Sequence, residues 1–558
     1  MATEPDSESH LQRGQACYHC RRRKMRCDGR RPICGQCSRA SRPDDCEYTD
    51  NQGRSRVEIL EEDISRIETR IYELEHPEAA PNDSVLLYHP YQQPQRRTQM
   101  PSLFQVLEST VNPPPASSAS PVESWWNSAE PPIQMIETLL DAFLPYASDW
   151  GFFLDISHFR RDALLQFPIG HHLRPTPALL ATVYLIGITF SDSLKVHEKT
   201  FLSRALSSLP VSLSGLHPHK AIHALQAEIL LSNYFFSSGR FLEGKYHVTA
   251  AVSLSVSSAL HKIRSEYSAL TVGVSTLRPP ANSIEEGERV DACWTTLVLD
   301  KSWAVALATH PNMQDSGDAL DTPWPLEAED YANGGFPASL RSSSTISKFL
   351  DGQDQSIEMS TKTVLAKAVI LWERANNLMV GWKPDMPPQQ TENFSSMYKI
   401  LDDTIDKFRN AVMSLDILPS AAPSKHRTLL VGRSVAHAAT IQLHGTFAEA
   451  NHHSKQKCLA AARSIIDLIG GVNFSPDNFA YINTIMGTIW VAACQVVVDQ
   501  IATLKLLRPA WAPDVATPAE SELNATLDKG FIVISHFAGT CSFMNYQITK
   551  IQEVYSAV

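Results

Sequence analysis

The sequence predicts a mainly α-helical chain: a small two-metal cluster module, a short coiled coil, a disordered linker and a large all-α domain. Three observations carry this. Six cysteines crowd between positions 17 and 46, an apolar heptad runs from 56 to 76, and helical apolar periodicity recurs from about 131 to 558 with little strand alternation. The expected segments are 1–14 (disordered), 15–47 (metal module), 48–55 (linker), 56–76 (coiled coil), 77–130 (disordered linker) and 131–558 (all-α domain).

The cysteines are Cys17, Cys20, Cys27, Cys34, Cys37 and Cys46, spaced C-x2-C-x6-C-x6-C-x2-C-x8-C. This is one half written twice, each a C-x2-C pair followed by a third cysteine. A C-x2-C pair puts two sulfurs on one tight turn, in reach of a tetrahedral zinc at about 2.3 Å per bond. One zinc uses four sulfurs and two separate sites need eight, so six suffice for two Zn2+ if two thiolates bridge. The alternative of three disulfides needs an oxidising compartment. The N-terminus lacks the apolar stretch of a signal peptide, which favours metal.

Between the second and third cysteines runs Arg21, Arg22, Arg23, Lys24, Met25, Arg26, and Asp28-Gly29 follows Cys27. From Ala16 to Gly29 the residues resemble the fungal zinc binuclear cluster (two-zinc, six-cysteine) transcription factors, and all five cysteine spacings fall in the family's range. The resemblance covers about thirty residues. It implies that Cys17 and Cys34 bridge two zincs, that Cys20 and Cys27 complete one site, and that Cys37 and Cys46 complete the other. It implies that Arg23 and Lys24 contact bases in a CGG-type triplet, where arginine or lysine pairs with guanine O6 and N7. Arg21, Arg22 and Arg26 are assigned to phosphates, with Arg30 and Arg31 adding to them. Pro32 matches the proline of the family's inter-helix loop.

Charge is partitioned accordingly. Residues 13–56 hold twelve Lys and Arg against five Asp and Glu, a net +7, while the whole chain is −11, leaving −18 on the rest. The basic charge is local, and the acidic bulk discourages nonspecific coating of nucleic acid.

After a polar linker, Val57, Ile64 and Ile71 fall at heptad position a, and Leu60, Ile67 and Leu74 at d. Branched a residues with mostly leucine at d favour a parallel dimer. Across it Arg56 meets Glu61 and Arg70 meets Glu75, whereas Asp63 and Glu68 repel; Pro77 stops the helix. The expected partner is a second copy or a related chain.

Residues 77–130 are rich in Pro, Ser, Gln and Asn and read as linker. Beyond them, candidate helices are Ile133 to Leu144, Ala221 to Phe236, Phe241 to Ile263, Glu285 to Leu307, Thr361 to Met379, Ser395 to Leu415, Leu429 to Asn451, Cys458 to Ile469 and Ala480 to Leu507. The most apolar run, Ile485 to Val498, is short of the roughly 20 residues needed to cross a bilayer, so a buried helix and no membrane contact are expected. Arg289, Ala292, Trp294, Leu299-Asp300-Lys301, Ala306-Leu307, Pro311 and Pro323-Trp324-Pro325 resemble the fungal-specific transcription factor (middle homology) region. Ala308-Thr309-His310 departs from its usual Gly-Arg, and Lys301 from its usual arginine. This implies a regulatory helical domain of unidentified effector.

No P-loop, Gly-x-Gly-x-x-Gly, His-Glu-x-x-His or Gly-x-Ser-x-Gly pattern occurs, and no enzymatic activity is expected. His217, His219, His452 and His453 read as solvated, Cys293, Cys458, Cys494 and Cys541 share no ligand spacing, and Asp300-Lys301 reads as an ion pair or cap. The expectation is a nuclear, zinc-dependent, sequence-specific factor that binds double-stranded DNA and the transcription machinery at RNA polymerase II genes. The alternative is an RNA- or protein-binding module; with only Tyr18 and Tyr48 near the cage, base stacking is poorly provided for.

Overall fold

The computed structural model describes residues 16–40, 46, 48, 65, 125–267, 277–313, 320–354, 359–415, 421–470, 479–508 and 516–557. The chain divides into two units, residues 1–119 and 120–558. No strand occurs among the described residues; Ser265 and Ser342 form an isolated bridge. The coiled coil expected over 56–76 lies outside the described residues except Ser65, which is helical.

The first unit contains α1 (Tyr18–Arg22) and α2 (Gly35–Arg39). The second opens earlier than the sequence suggests. Trp126 stacks on His197 at 4.3 Å, and Glu130 pairs with the buried Arg174 and accepts from the Tyr184 hydroxyl at 3.1 Å. Residues 125–130, assigned by composition to the linker, therefore belong to the helical body.

That body is built from α3 (Ile133–Phe143), α4 (Ile156–Ala163), α5 (Pro177–Thr189), α6 (Glu198–Ser208), α7 (Lys220–Ser237), α8 (Phe241–Ser257) and α9 (Ser283–Ala306), then the short α10 (Ala328–Ala332) and α11 (Thr345–Leu350). It continues through α12 (Thr361–Val380), α13 (Pro388–Met413), α14 (Pro423–His444), α15 (His452–Gly470), α16 (Met486–Leu506), α17 (Pro518–Ala538) and α18 (Ser542–Ser556). All nine candidate helices are present with shifted ends. The first of them ends at Phe143, two residues before Pro145, and a 3-10 segment carries the chain on from Leu144 to Trp150.

α12 lies along α14 at the centre, α7 and α8 form an antiparallel pair, and α15 to α18 pack together. α5 is apolar all round because ten of its thirteen residues are buried. α3 packs so close to it that a side chain at Gly187 would meet the Leu139 carbonyl at 2.6 Å. Arg427 on α14 pairs with Asp149 at 2.7 Å, both buried, fastening the N-terminal segment to the central helix. Burial pushes the Asp149 carboxyl up to about 6 against the pull of Arg427.

The apolar run at 485–498 forms part of α16, whose 21 residues are long and apolar enough to cross a membrane by length and composition. Its Ile489, Trp490, Ala493, Cys494, Val497 and Val498 are nevertheless buried within the body, and it packs against α14, α15, α17 and α18.

Candidate metal centre and nucleic-acid interface

Each C-x2-C pair makes a helix start. Cys17 is the N-cap of α1, and its Sγ accepts the Cys20 N–H at 3.4 Å. Cys34 is the N-cap of α2, and its Sγ accepts the Cys37 N–H at 3.4 Å. The spacing thus lets one sulfur take an N-cap's role while the other follows one turn later on the same side. The third cysteine of each half returns to the cage. Cys27 Sγ takes the Gly29 N–H at 3.5 Å, and Cys46 Sγ takes the Cys34 N–H at 3.1 Å.

The sulfurs fall into two groups of four, Cys17, Cys20, Cys27, Cys34 and Cys17, Cys34, Cys37, Cys46, which share Cys17 and Cys34. Neighbouring sulfurs stand 3.7 Å (Cys17 to Cys34), 3.8 Å (Cys17 to Cys37) and 3.6 Å (Cys20 to Cys34) apart. Tetrahedral thiolates around zinc stand about 3.8 Å apart, given bonds of about 2.3 Å, whereas a disulfide needs about 2.05 Å. All six cysteines are unbridged. Burial pushes the Cys17 thiol up and raises Cys37 to about 12; burial also opposes ionisation of Cys34, but hydrogen bonds from Cys37, Cys20 and Cys17 outweigh it and hold Cys34 at about 6. A cage this crowded cannot ionise fully without cations inside it, so the donor set fits zinc.

Asp28 joins the halves. Its two carboxylate oxygens each accept the Gly35 N–H at 3.0 Å, and one accepts the Arg30 N–H at 3.4 Å. The Gly35 bond holds the Asp28 carboxyl below its usual range. A Cβ at Gly35 would lie 2.5 Å from the Asp28 carboxylate, so a side chain there would displace that carboxylate. Tyr48 closes the other side, its hydroxyl donating to the Arg30 carbonyl at 2.8 Å. Sequence reasoning placed Asp28 in the motif and Tyr48 near the cage without assigning either a bracing role, and it did not single out Gly35; their positions directly after Cys27, two past Cys46 and directly after Cys34 were the available signal.

The basic run is not one helix. α1 ends at Arg22, Arg23 is its C-cap, and Lys24 follows with φ 54° in the left-handed region. The Met25 N–H reaches the Cys20 carbonyl at 2.9 Å and the Lys24 N–H reaches the Arg21 carbonyl at 3.2 Å. That double bond pattern is a Schellman C-cap. It forces the chain to turn back toward Cys27, which a continuing helix would carry away from the cage. Arg21, Arg22, Arg23, Lys24 and Arg26 are all exposed. The expected base-contacting residues therefore occupy the capped end of a short helix and the phosphate-assigned residues flank them.

Residues 15–55 match the fungal Zn(2)-Cys(6) binuclear cluster domain, and residues 171–416 match the fungal specific transcription factor domain. Over these two stretches the chain is similar to the fungal zinc binuclear cluster transcription factors. The cluster domain binds two zinc ions, and these are families of regulators, not of enzymes. Among curated relatives, the notoamide biosynthesis cluster transcriptional coactivator notQ' of Aspergillus versicolor is 26% identical over 344 residues, 58% of this chain and 59% of that protein. Transcription factor FBD3 of Gibberella moniliformis and its namesake in Fusarium pseudograminearum are each 35% identical over 74 residues, 13% of this chain and 10% of theirs. The chain thus spans about three-fifths of the length of the first and a tenth of the others. No solved structure matches.

In the helical body the residues that carry the second resemblance brace one another. The Trp294 indole donates to the Pro323 carbonyl at 2.7 Å and stacks on Trp324 at 4.4 Å. Asp300 and Lys301 do not pair together: Asp300 accepts the Asn312 and Met313 N–H groups at 3.0 and 2.7 Å, and Lys301 faces Glu373 at 3.5 Å. His217 and His219, expected to be solvated, are half-buried against His223, with ring centroids 5.2 and 5.6 Å from it. His452 and His453 are exposed, and the four remaining cysteines are buried.

Proposed function

We propose that this chain is a zinc-dependent, sequence-specific DNA-binding regulator of RNA polymerase II transcription, acting in the nucleus. Cys17 and Cys34 bridge the two zincs, Cys20 and Cys27 complete one site, and Cys37 and Cys46 the other. Arg23 and Lys24 read a CGG-type triplet in the major groove, while Arg21, Arg22 and Arg26 hold phosphates and set register. Residues 15–47 form the DNA-binding domain, 56–76 dimerise the chain through Val57, Leu60, Ile64, Ile67, Ile71 and Leu74, and the helical body is regulatory. The observation that carries this reading is the exposed basic run on the capped end of a helix whose start is a cage cysteine.

Selection of random duplex DNA by the zinc-loaded chain tests it. The expected outcome is enrichment of paired guanine-rich triplets at one spacing. Enrichment of a lone triplet would remove the dimer and keep the readout. No enrichment with two zincs bound would refute sequence-specific binding.

A further inference from the structure

The loop between the halves carries two exposed arginines, Arg30 and Arg31, that the cage itself does not use. Both backbone polar groups of Arg30 are tied down, its N–H by Asp28 at 3.4 Å and its carbonyl by the Tyr48 hydroxyl at 2.8 Å. The Arg31 guanidinium carbon lies 4.8 Å from the centre of the Tyr48 ring. Tyr48 is in turn packed against the sulfur cluster beside Ala16 and Cys46. One side chain thus fixes both arginines and takes its own position from the metal cage.

We propose that Tyr48 is a positioning residue for DNA, holding Arg31 as a preset clamp on the phosphate backbone. The proposal rests on the DNA-binding reading above. A guanidinium lying on an aromatic face keeps its edge N–H groups pointing outward, in the fork that matches a phosphate bidentately. An arginine otherwise gives up side-chain freedom when it is ordered on binding; stacking meets much of that cost before DNA arrives. A lysine in the same place has neither the plane to stack nor the fork to present.

The test uses the full zinc-loaded chain, a mixed-sequence duplex, a duplex with paired CGG triplets, and affinity measured across salt concentrations. Arg31→Ala should weaken both duplexes alike and flatten the plot of log affinity against log salt by about 0.9 per bound protomer, about 1.8 for a dimer, the slope of one phosphate contact from each chain. Tyr48→Leu should do the same with two zincs still bound, and the double variant should go no further, because the tyrosine acts through the arginine. Tyr48→Phe keeps the ring, so its salt slope should stay that of the unaltered chain while affinity drops about two- to tenfold through the lost hydroxyl bond. A wild-type slope in zinc-replete Tyr48→Leu, or additive losses in the double variant, would overturn the proposal. Should Tyr48→Leu shed its zinc, a flattened slope in zinc-replete Tyr48→Phe would overturn it equally. Failure of the unaltered chain to bind either duplex would sink the DNA reading itself, independently of any variant.

Discussion

Replacing Lys24 with glycine should push metal retention and DNA recognition in opposite directions. Lys24 is the left-handed residue of the C-cap on α1, at φ 54°. A side chain there costs about 1–2 kcal/mol, and glycine avoids most of it. Glycine also loosens the unfolded chain, which costs about 0.5–1 kcal/mol. The net gain for Lys24→Gly is about 0.5–1 kcal/mol. Because a structural zinc module folds and binds metal in one step, the gain should appear as about two- to fivefold more chelator needed to strip the zinc. Lys24→Ala keeps the left-handed cost and should leave that midpoint unchanged. Both variants lose the ammonium assigned to base contact, so both should lose about 1–3 kcal/mol of discrimination for the selected site. Chelator competition read by a zinc indicator, beside fluorescence anisotropy on matched and mismatched duplexes, separates the two effects. If Lys24→Gly releases zinc more readily than Lys24→Ala, the account of the helix end is wrong.

Cys17→Ala and Cys34→Ala should each lose both zincs, whereas Cys46→Ala should keep one, as metal analysis of the purified chains would show; two zincs in Cys17→Ala would refute the bridging assignment. Ile64→Lys should abolish the dimer in sedimentation and leave binding to a single triplet, and a dimer that survives it removes the coiled coil. Burial, aided by the charges of Asp155, Glu285 and Asp291, raises the Glu288 carboxyl to about 7, above the roughly 4.3 of an unfolded chain. Ionised Glu288 therefore opposes folding, increasingly so as pH climbs from about 4.5 to 7. Glu288→Gln should raise the melting temperature at pH 8, by on the order of 1–3 kcal/mol of stability, with no gain near pH 4.5; an equal gain at both pH values would contradict the assignment.

The cage was legible because thiolate spacing is chemistry written along the chain. C-x2-C is also the interval between an N-cap and the residue three later, so local structure and metal geometry ask for the same pattern. The amphipathic helices were legible from one-sided periodicity, as at α3, where buried Ile136, Leu139, Leu140 and Phe143 recur at helical intervals. The helix of Pro177–Thr189 was not, because burial on every side erases the alternation between faces. Pro518–Ala538 did carry a signal, with buried Leu523, Leu527, Ile534 and Phe537 at helical intervals. The break in the basic run at Lys24 was hidden for a different reason. Arginine and lysine are good helix formers, and only the need for Cys27 to return to the cage overrides them. Trp125 and Trp126 were lost in the proline-rich composition around them, although paired tryptophans seldom stay in solvent.

The Trp294–Pro323–Trp324 brace and the loop held by Asp300 change how loss of function in such a chain is interpreted. These residues stand out in the sequence, yet the Trp294 indole and the Asp300 carboxylate are spent on neighbouring backbone, and Trp324 is stacked on Trp294. A genetic screen for silent alleles would collect substitutions at Trp294, Asp300 and Trp324. Those alleles would report a regulator removed by cellular quality control, with low protein abundance and messenger left at its normal level.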